Sequence, residues 1–446
     1  MRAFGEFSVT GKQMAAAAGA SVEGLLGRAR KVLVGGALGR FSLPDEVNTV
    51  LASGKGSRVW DVGGREYIDC VLGSGPMLLG HAHPAVIEAV QAQLPKSSTY
   101  FLLNEHAIRL AEKLVEAVPC GERVRFMSSG TEATYLALRC ARAHRKRSKI
   151  LKFEGGWHGM HDYALWGTVP ARPSDYPKSK PDSAGIPPSV GDEVLVAPFN
   201  DIERAVKIIE EHARELAAVI VEPLQRVLTP APGFLEGLRE VTRRHGIVLI
   251  FDEIVTGFRI AWGGAQEKYG VVPDIATYGK AMAGGFPLSA IVGTEEVMSA
   301  FDGGPRPPTE IAWASGTFNG NPIAATAGLA ALGVLSQPGT YEHLQKIGSR
   351  LRNGIESAGG EFGFAARALG EDAVFGVRFL KEPRPRTWID LQSHDSELGR
   401  RWAVECIKRG LLIVPNEKFY ISIAHTEDDV DQTLEICREA FKVCAA

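Results

Sequence analysis

Lys280 stands in a run of mostly small, uncharged residues, with Ala276, Thr277, Tyr278 and Gly279 before it and Ala281, Met282, Ala283, Gly284 and Gly285 after it. No acid lies beside it in sequence to make it half of a surface ion pair. Burial of such a lysine disfavours the ammonium, lowers its pKa and frees an amine that can form an imine. The same residue also reads as a lysine laying its stem along a domain surface. Asp252 closes the apolar run 247–251. An acid at the carboxyl end of a buried parallel strand sits where α/β folds place ligands, and there it can keep a pyridine-type nitrogen protonated. It reads equally as a helix cap or a satisfied core carboxylate. Ser129, Gly130 and Thr131 follow an apolar run and precede a helical pattern. Such a turn offers free N–H groups and the positive end of a helix dipole to a phosphate, or is simply a well-capped helix start with Glu132 in its first turn. Trp157 and His158 lie between glycines, where an indole can stack on a planar ligand or merely pack. His158 reads equally as a core or a surface histidine.

These residues need elements to hold them. Extended apolar runs cover 124–127, 149–153, 217–221 and 247–251, and the last two are continuous rather than alternating, as in strands covered on both faces. Helical patterns fall between them, at 131–144, 201–216 and 237–245. That alternation predicts a doubly wound α/β domain with a mostly parallel sheet. The stretch 168–190, rich in Pro, Ser, Asp and Lys, predicts a loop excursion. An alanine-rich helical pattern follows Asn321, and the composition turns polar near 337–339. We therefore expect a large domain over 75–336. A smaller α+β domain is expected over 337–446, joined by the N-terminal segment 1–74, with strands at 411–414 and 419–423 and a closing helix at 428–446. The site would lie between domains.

The chain has 446 residues, of which 45% are hydrophobic and 23% charged, enough apolar material for a large core. With 50 basic and 52 acidic residues its net charge is -2, so charge gives no reason to expect a nucleic-acid or membrane-surface partner. Six scattered cysteines form neither a C-x-x-C pair nor a zinc-spaced cluster, so no metal site is expected. No apolar run approaches the ~20 residues of a membrane span. The alanine run 15–18 lacks the core of a signal peptide. A cytoplasmic location is expected.

Taken in order, the pieces at 75–84, 129–133, 156–159, 251–259, 279–280 and 316–322 resemble the class III, fold-type I pyridoxal-phosphate (PLP) aminotransferases. The resemblance spans nearly the whole chain and is strongest to the branch holding glutamate-1-semialdehyde aminomutase and the β-amino-acid and D-phenylglycine transaminases. It implies that Lys280 carries PLP as a Schiff base and shuttles the proton. Asp252 would pair with the pyridine nitrogen, and Ser129, Gly130 and Thr131 would hold the phosphate. Trp157 would stack on the ring, Ile254 would pack on its opposite face, and His158 and Glu222 would lie close by. Thr317 would reach the phosphate from a partner subunit, which implies a homodimer. The substrates would be a small-molecule amino donor, an amine or a β- or ω-amino acid, and a carbonyl acceptor.

Three departures bear on substrate. Ser74 stands where the aminomutase has a tryptophan. Gln225 and Arg226 replace a Gly-Asn pair after Glu222, and the piece 415–419 is short. Arg40 falls about where related enzymes place an arginine for a substrate carboxylate, a fork that Arg226 also offers; Arg40 reads equally as an exposed N-terminal arginine. The expected activity is transamination. The alternatives are the aminomutase reaction, which Ser74 disfavours, and a non-catalytic protein of the same fold.

Overall fold

The computed structural model describes residues 21–39, 42–381 and 384–446. Arg40 and the alanine run 15–18 lie outside the described residues. Strands β1 (Leu51–Lys55), β2 (Arg58–Asp61) and β3 (Glu66–Asp69) form an antiparallel meander. Then come β4 (Arg123–Met127), β5 (Lys149–Phe153), β6 (Val194–Ala197), β7 (Leu216–Val221), β8 (Val248–Asp252), β9 (Ile275–Tyr278) and β10 (Ser289–Gly293). These make one seven-stranded sheet in the order β4-β10-β9-β8-β7-β5-β6. Strands β11 (Ala366–Glu371) and β12 (Val374–Phe379) are followed by the two-residue ladders β13 (Leu411–Leu412) and β14 (Phe419–Tyr420).

The large sheet confirms the α/β reading. Every residue of β7 and β8 is buried, as their unbroken apolar runs require. Alternation sends Ile250 to one face, against Ala133 and Ala137 of the helix Gly130–Arg145. Leu249 and Phe251 point to the other face, into a core with Leu235 and Leu238 of the helix Phe234–His245. Only β10 runs against the rest. Between β9 and β10 the chain has room for a short 3-10 turn, Lys280–Ala283, and two positive-φ glycines, Gly284 and Gly285. A parallel strand would need a long crossover, so the chain reverses.

The expected helix at 201–216 is shorter, Ile202–Glu211, and Leu216 already belongs to β7. Leu216 suits a helix by propensity, but burial in the sheet decides its state, and the turn 212–215 makes room for the strand. The strands expected at 411–414 and 419–423 pair over two residues each. β13 lies parallel to β3, with Leu411 opposite Ile68, so the N-terminal meander and a C-terminal strand share one sheet. The closing helix is Glu427–Ala445, started by a capping box between Thr426 and Asp429.

Candidate active site

Strand direction concentrates the chemistry. β4, β5, β7, β8 and β9 point the same way, so the residues that follow them meet at one edge of the sheet. That edge receives Ser129–Thr131 after β4, Trp157 and His158 after β5, Glu222 after β7, Asp252 at the end of β8 and Lys280 after β9.

Asp252 is buried and held from three sides. Its Oδ1 accepts from Thr277 Oγ1 at 3.1 Å and from the Ile254 N–H at 3.2 Å. Its Oδ2 lies 2.8 Å from His158 Nδ1. A carboxylate only accepts, so Nδ1 donates, and Nε2 is buried with no partner among the described residues. His158 is thus Asp252's buried partner.

Asp252 is in register with Thr277, which precedes Lys280 by three positions. Lys280 has a positive φ of 45°, a conformation that costs a non-glycine residue about 1 kcal/mol or more. Burial pulls its pKa down; the cations of Lys418 and Arg259 add to this, against Tyr420 and Asp252. Among the described residues no carboxylate forms an ion pair with it. The result is an amine primed for nucleophilic chemistry.

Ser129 caps the helix Gly130–Arg145. Its hydroxyl and N–H are committed to Glu132 in a capping box. The N–H groups of Gly130 and Thr131 have no acceptor among the described residues, which leaves an anion-binding helix start. Ile254 wedges between this turn and the lysine. A Cβ at Gly130 would stand 3.1 Å, and one at Gly279 3.2 Å, from its Cδ1.

The backbone N–H of Trp157 donates to Glu222 Oε2 at 2.8 Å, which fixes the loop that presents the indole. The Arg226 guanidinium lies 5.4 Å from the Trp157 ring and 5.5 Å from Trp388, and its Nε donates to Gly155 O at 2.8 Å. Lys152 pins the same loop from below. Its buried Nζ lies 2.7–3.1 Å from the carbonyls of Gly156, Ala164 and Trp166 and from Thr168 Oγ1, four acceptors shared among its N–H groups.

Thr317 is not brought to this edge within the chain; it lies on an exposed turn before the helix Pro322–Leu335. Ser74, with a φ of 67°, lies on an exposed turn beside Tyr420. Tyr420 and Arg259 went unread in the sequence. The Tyr420 ring lies 5.0 Å from the Arg259 guanidinium and would touch any Cβ at Gly75. Burial pushes the Tyr420 phenol up, but the cations of Lys418, Lys280 and Arg259 outweigh it, so its pKa falls below the ordinary value. Arg259 is fully buried and donates to the carbonyls of Gly75 and Val255. It stands in a quoted motif, but its partner lies far along the chain, and no local pattern signals that meeting.

A family model described as class III aminotransferase matches residues 43–436. The chain belongs to the class III aminotransferases. The glutamate-1-semialdehyde 2,1-aminomutase of Desulforamulus reducens is 40% identical over 406 residues, covering 89% of this chain and 90% of that one. An omega-transaminase from Sphaerobacter thermophilus superimposes with a TM-score of 0.90 at 35% identity, over 96% of this chain and 98% of that one. A β-phenylalanine aminotransferase from Variovorax paradoxus does so with a TM-score of 0.83 at 28% identity, over 96% and 95%. The fold is therefore fold-type I, and the family's cofactor is PLP. The residues present suit it: unclaimed N–H groups for a phosphate, a held carboxylate for a ring nitrogen, an indole for a ring face and an unpaired amine for an aldehyde.

Proposed function

We propose that this class III enzyme is a ping-pong transaminase that takes the amino group of an amine or of a β- or ω-amino acid and gives it to a keto acid or aldehyde. The observation that carries the reading is the meeting, at one sheet edge, of Lys280 with the buried Asp252–His158 pair. When bound, PLP supplies an electron sink that stores the amino group between the two half-reactions. Asp252 would hold the proton of the ring nitrogen, and His158 keeps the carboxylate oriented by hydrogen bonding. Gly130 and Thr131 hold the phosphate through their N–H groups. Trp157, fixed by Glu222, covers one ring face and Ile254 the other. Lys280 anchors the cofactor and, as a neutral amine, takes the proton from the donor carbon and returns it.

The active unit is a homodimer in which Thr317 of one subunit completes the phosphate site of the other. This rests on exposed apolar side chains, with Phe101 70%, Leu103 87% and Trp313 64% exposed, and with Phe318 next to Thr317. The cysteines among the described residues are all free and mostly buried, in keeping with a reducing cytoplasm. No helix among the described residues is long and apolar enough to cross a membrane.

A second reading, the aminomutase, is favoured by relatives of that name at 40% identity. One experiment separates the two. With glutamate semialdehyde as sole substrate, the transaminase stalls after one equivalent until a keto acid is added. Continued turnover without an acceptor would overturn the transaminase reading.

A further inference from the structure

A second concentration of charge lies beyond Trp157. A cavity of about 230 Å³ is lined by Arg226, Arg378, Lys418, Glu417, His394 and Asn416, with Trp388 in its wall. Trp388 reaches that wall because position 155 is glycine: a Cβ there would stand 2.5 Å from the Trp388 Cβ. Arg378 comes from β12, a strand buried at every position, and is itself only 6% exposed. Among the described residues its side chain makes one protein hydrogen bond, from Nη1 to the neighbouring Val377 carbonyl at 2.9 Å. Across the sheet it faces another cation, Arg367, an arrangement that destabilises a strand pair. Among the described residues no acid lies within ion-pairing distance of Arg226, Arg378 or Lys418.

Three cations thus share the cavity with one carboxylate, Glu417, and two positive charges are left over. His394 adds none, because burial pulls its pKa down to about 4. Its Nδ1 and the Oδ1 of Asn416 are buried without partners. A buried guanidinium held without a counter-charge is costly unless an anion visits it. The cavity borders the reaction edge through two shared residues. Arg226 sits over Trp157, and Lys418 is among the charges felt at Lys280 and Tyr420.

We propose that this cavity is a carboxylate subsite, in which Arg378 and Arg226 grip a carboxylate of the substrate whose reacting carbon lies at Lys280. A guanidinium fork matches a carboxylate in two parallel hydrogen bonds, and two forks converging on one cavity select an acid over its amide. The inference deepens the transaminase reading and rests on it for the position of the reacting carbon.

The test uses the holoenzyme and its Arg378→Met and Arg378→Lys variants, first by titration calorimetry. Glutarate, which cannot react, is expected to bind the wild type at one site and uncharged glutaramide not to bind. Arg378→Met weakens glutarate about ten-fold or more, the loss of one charge-assisted contact. Arg378→Lys restores part of that and carries the test alone if the methionine variant does not fold. Unchanged glutarate affinity in the variants, or equal binding of glutaramide, overturns the subsite. Each half-reaction is then followed with and without a carboxylate: a β-amino acid against an arylalkyl amine, and 2-oxoglutarate against an aliphatic aldehyde. A rise in KM confined to the β-amino acid assigns the subsite to the donor, and one confined to 2-oxoglutarate assigns it to the acceptor. Equal loss on all four marks Arg378 as structural and overturns the proposal. Failure of amino transfer altogether sinks the transaminase reading but leaves the calorimetric result standing.

Discussion

The carboxylate of Asp252 and the imidazole of His158 meet at 2.8 Å, both almost fully buried, and the far nitrogen of the ring has no partner. The carboxylate therefore cannot rotate without losing a buried hydrogen bond. This makes the pair a single preorganised acceptor. Asp252→Asn keeps the shape and removes the charge, and kcat is expected to fall roughly 100-fold or more. His158→Asn, which only loosens the acid, is expected to cost roughly 10-fold. The double variant should be no worse than Asp252→Asn alone. Additive losses in steady-state kinetics would show that His158 acts independently of Asp252.

Lys280 reacts only as the neutral amine. Because burial, Lys418 and Arg259 lower its pKa, the rate at which the apoenzyme captures PLP should rise with pH through a midpoint below the usual lysine value of 10.5. Lys418→Met removes one of the cations and should move that midpoint up. The measurement is the absorbance change on mixing apoenzyme with PLP between pH 6 and 10, roughly the range lysine shifts span. Lys280→Ala should show no covalent absorption band at any pH.

Thr317 supplies a test of shared sites. Lys280→Ala and Thr317→Ala homodimers are each expected to be impaired. If each site draws Lys280 from one subunit and Thr317 from the other, a mixed dimer holds one intact site and one doubly damaged site. Refolding the two variants together should then restore activity well above either alone. Activity no higher than the mean of the homodimers would place both residues in one subunit.

Lys152 should make stability depend on pH. Burial lowers its pKa to about 7 from 10.5. Between those values the unfolded chain holds a proton that the folded chain has released, so stability rises as pH climbs through the window and is level below it. Lys152→Met lacks this dependence and leaves the Gly156 and Trp166 carbonyls unpaired, at a cost of about 2–4 kcal/mol, while Ala164 O keeps its bond from Thr168 Oγ1. In urea titrations at about pH 6 and 9, the wild type should gain on the variant at the higher pH.

Asp252 was legible because it closes an unbroken apolar run, and Lys280 and the 129–131 turn because glycine or small residues flank them, signals contained in a few positions. Trp157 was legible from the glycines on either side of it, whereas Glu222 was legible only through the family resemblance. Nothing local in sequence announces that Glu222 receives the Trp157 N–H. Lys152 lies in a short apolar run whose strand was evident, yet its ammonium is buried by a loop returning from 164–168. Tyr420 belongs to the C-terminal sheet and meets Arg259 only through long-range packing. The direction of β10 escaped because periodicity reports burial, whereas strand direction is set by the length of the connection before it.

That reversed strand joins two parts of the edge. From Lys280 the chain turns, runs a few residues and pairs Ser289 with Met127, and the Ser289 hydroxyl donates to Ser129 O at 2.7 Å. The lysine and the turn facing the phosphate are thus the two ends of one taut strap. Pulling either end displaces the other, so Lys280 and the N–H groups of Gly130 and Thr131 are expected to move as one unit. Movement that admits and releases substrates is then expected on the other side, where Tyr420 and Lys418 belong to a separate, smaller sheet or its flanking turn.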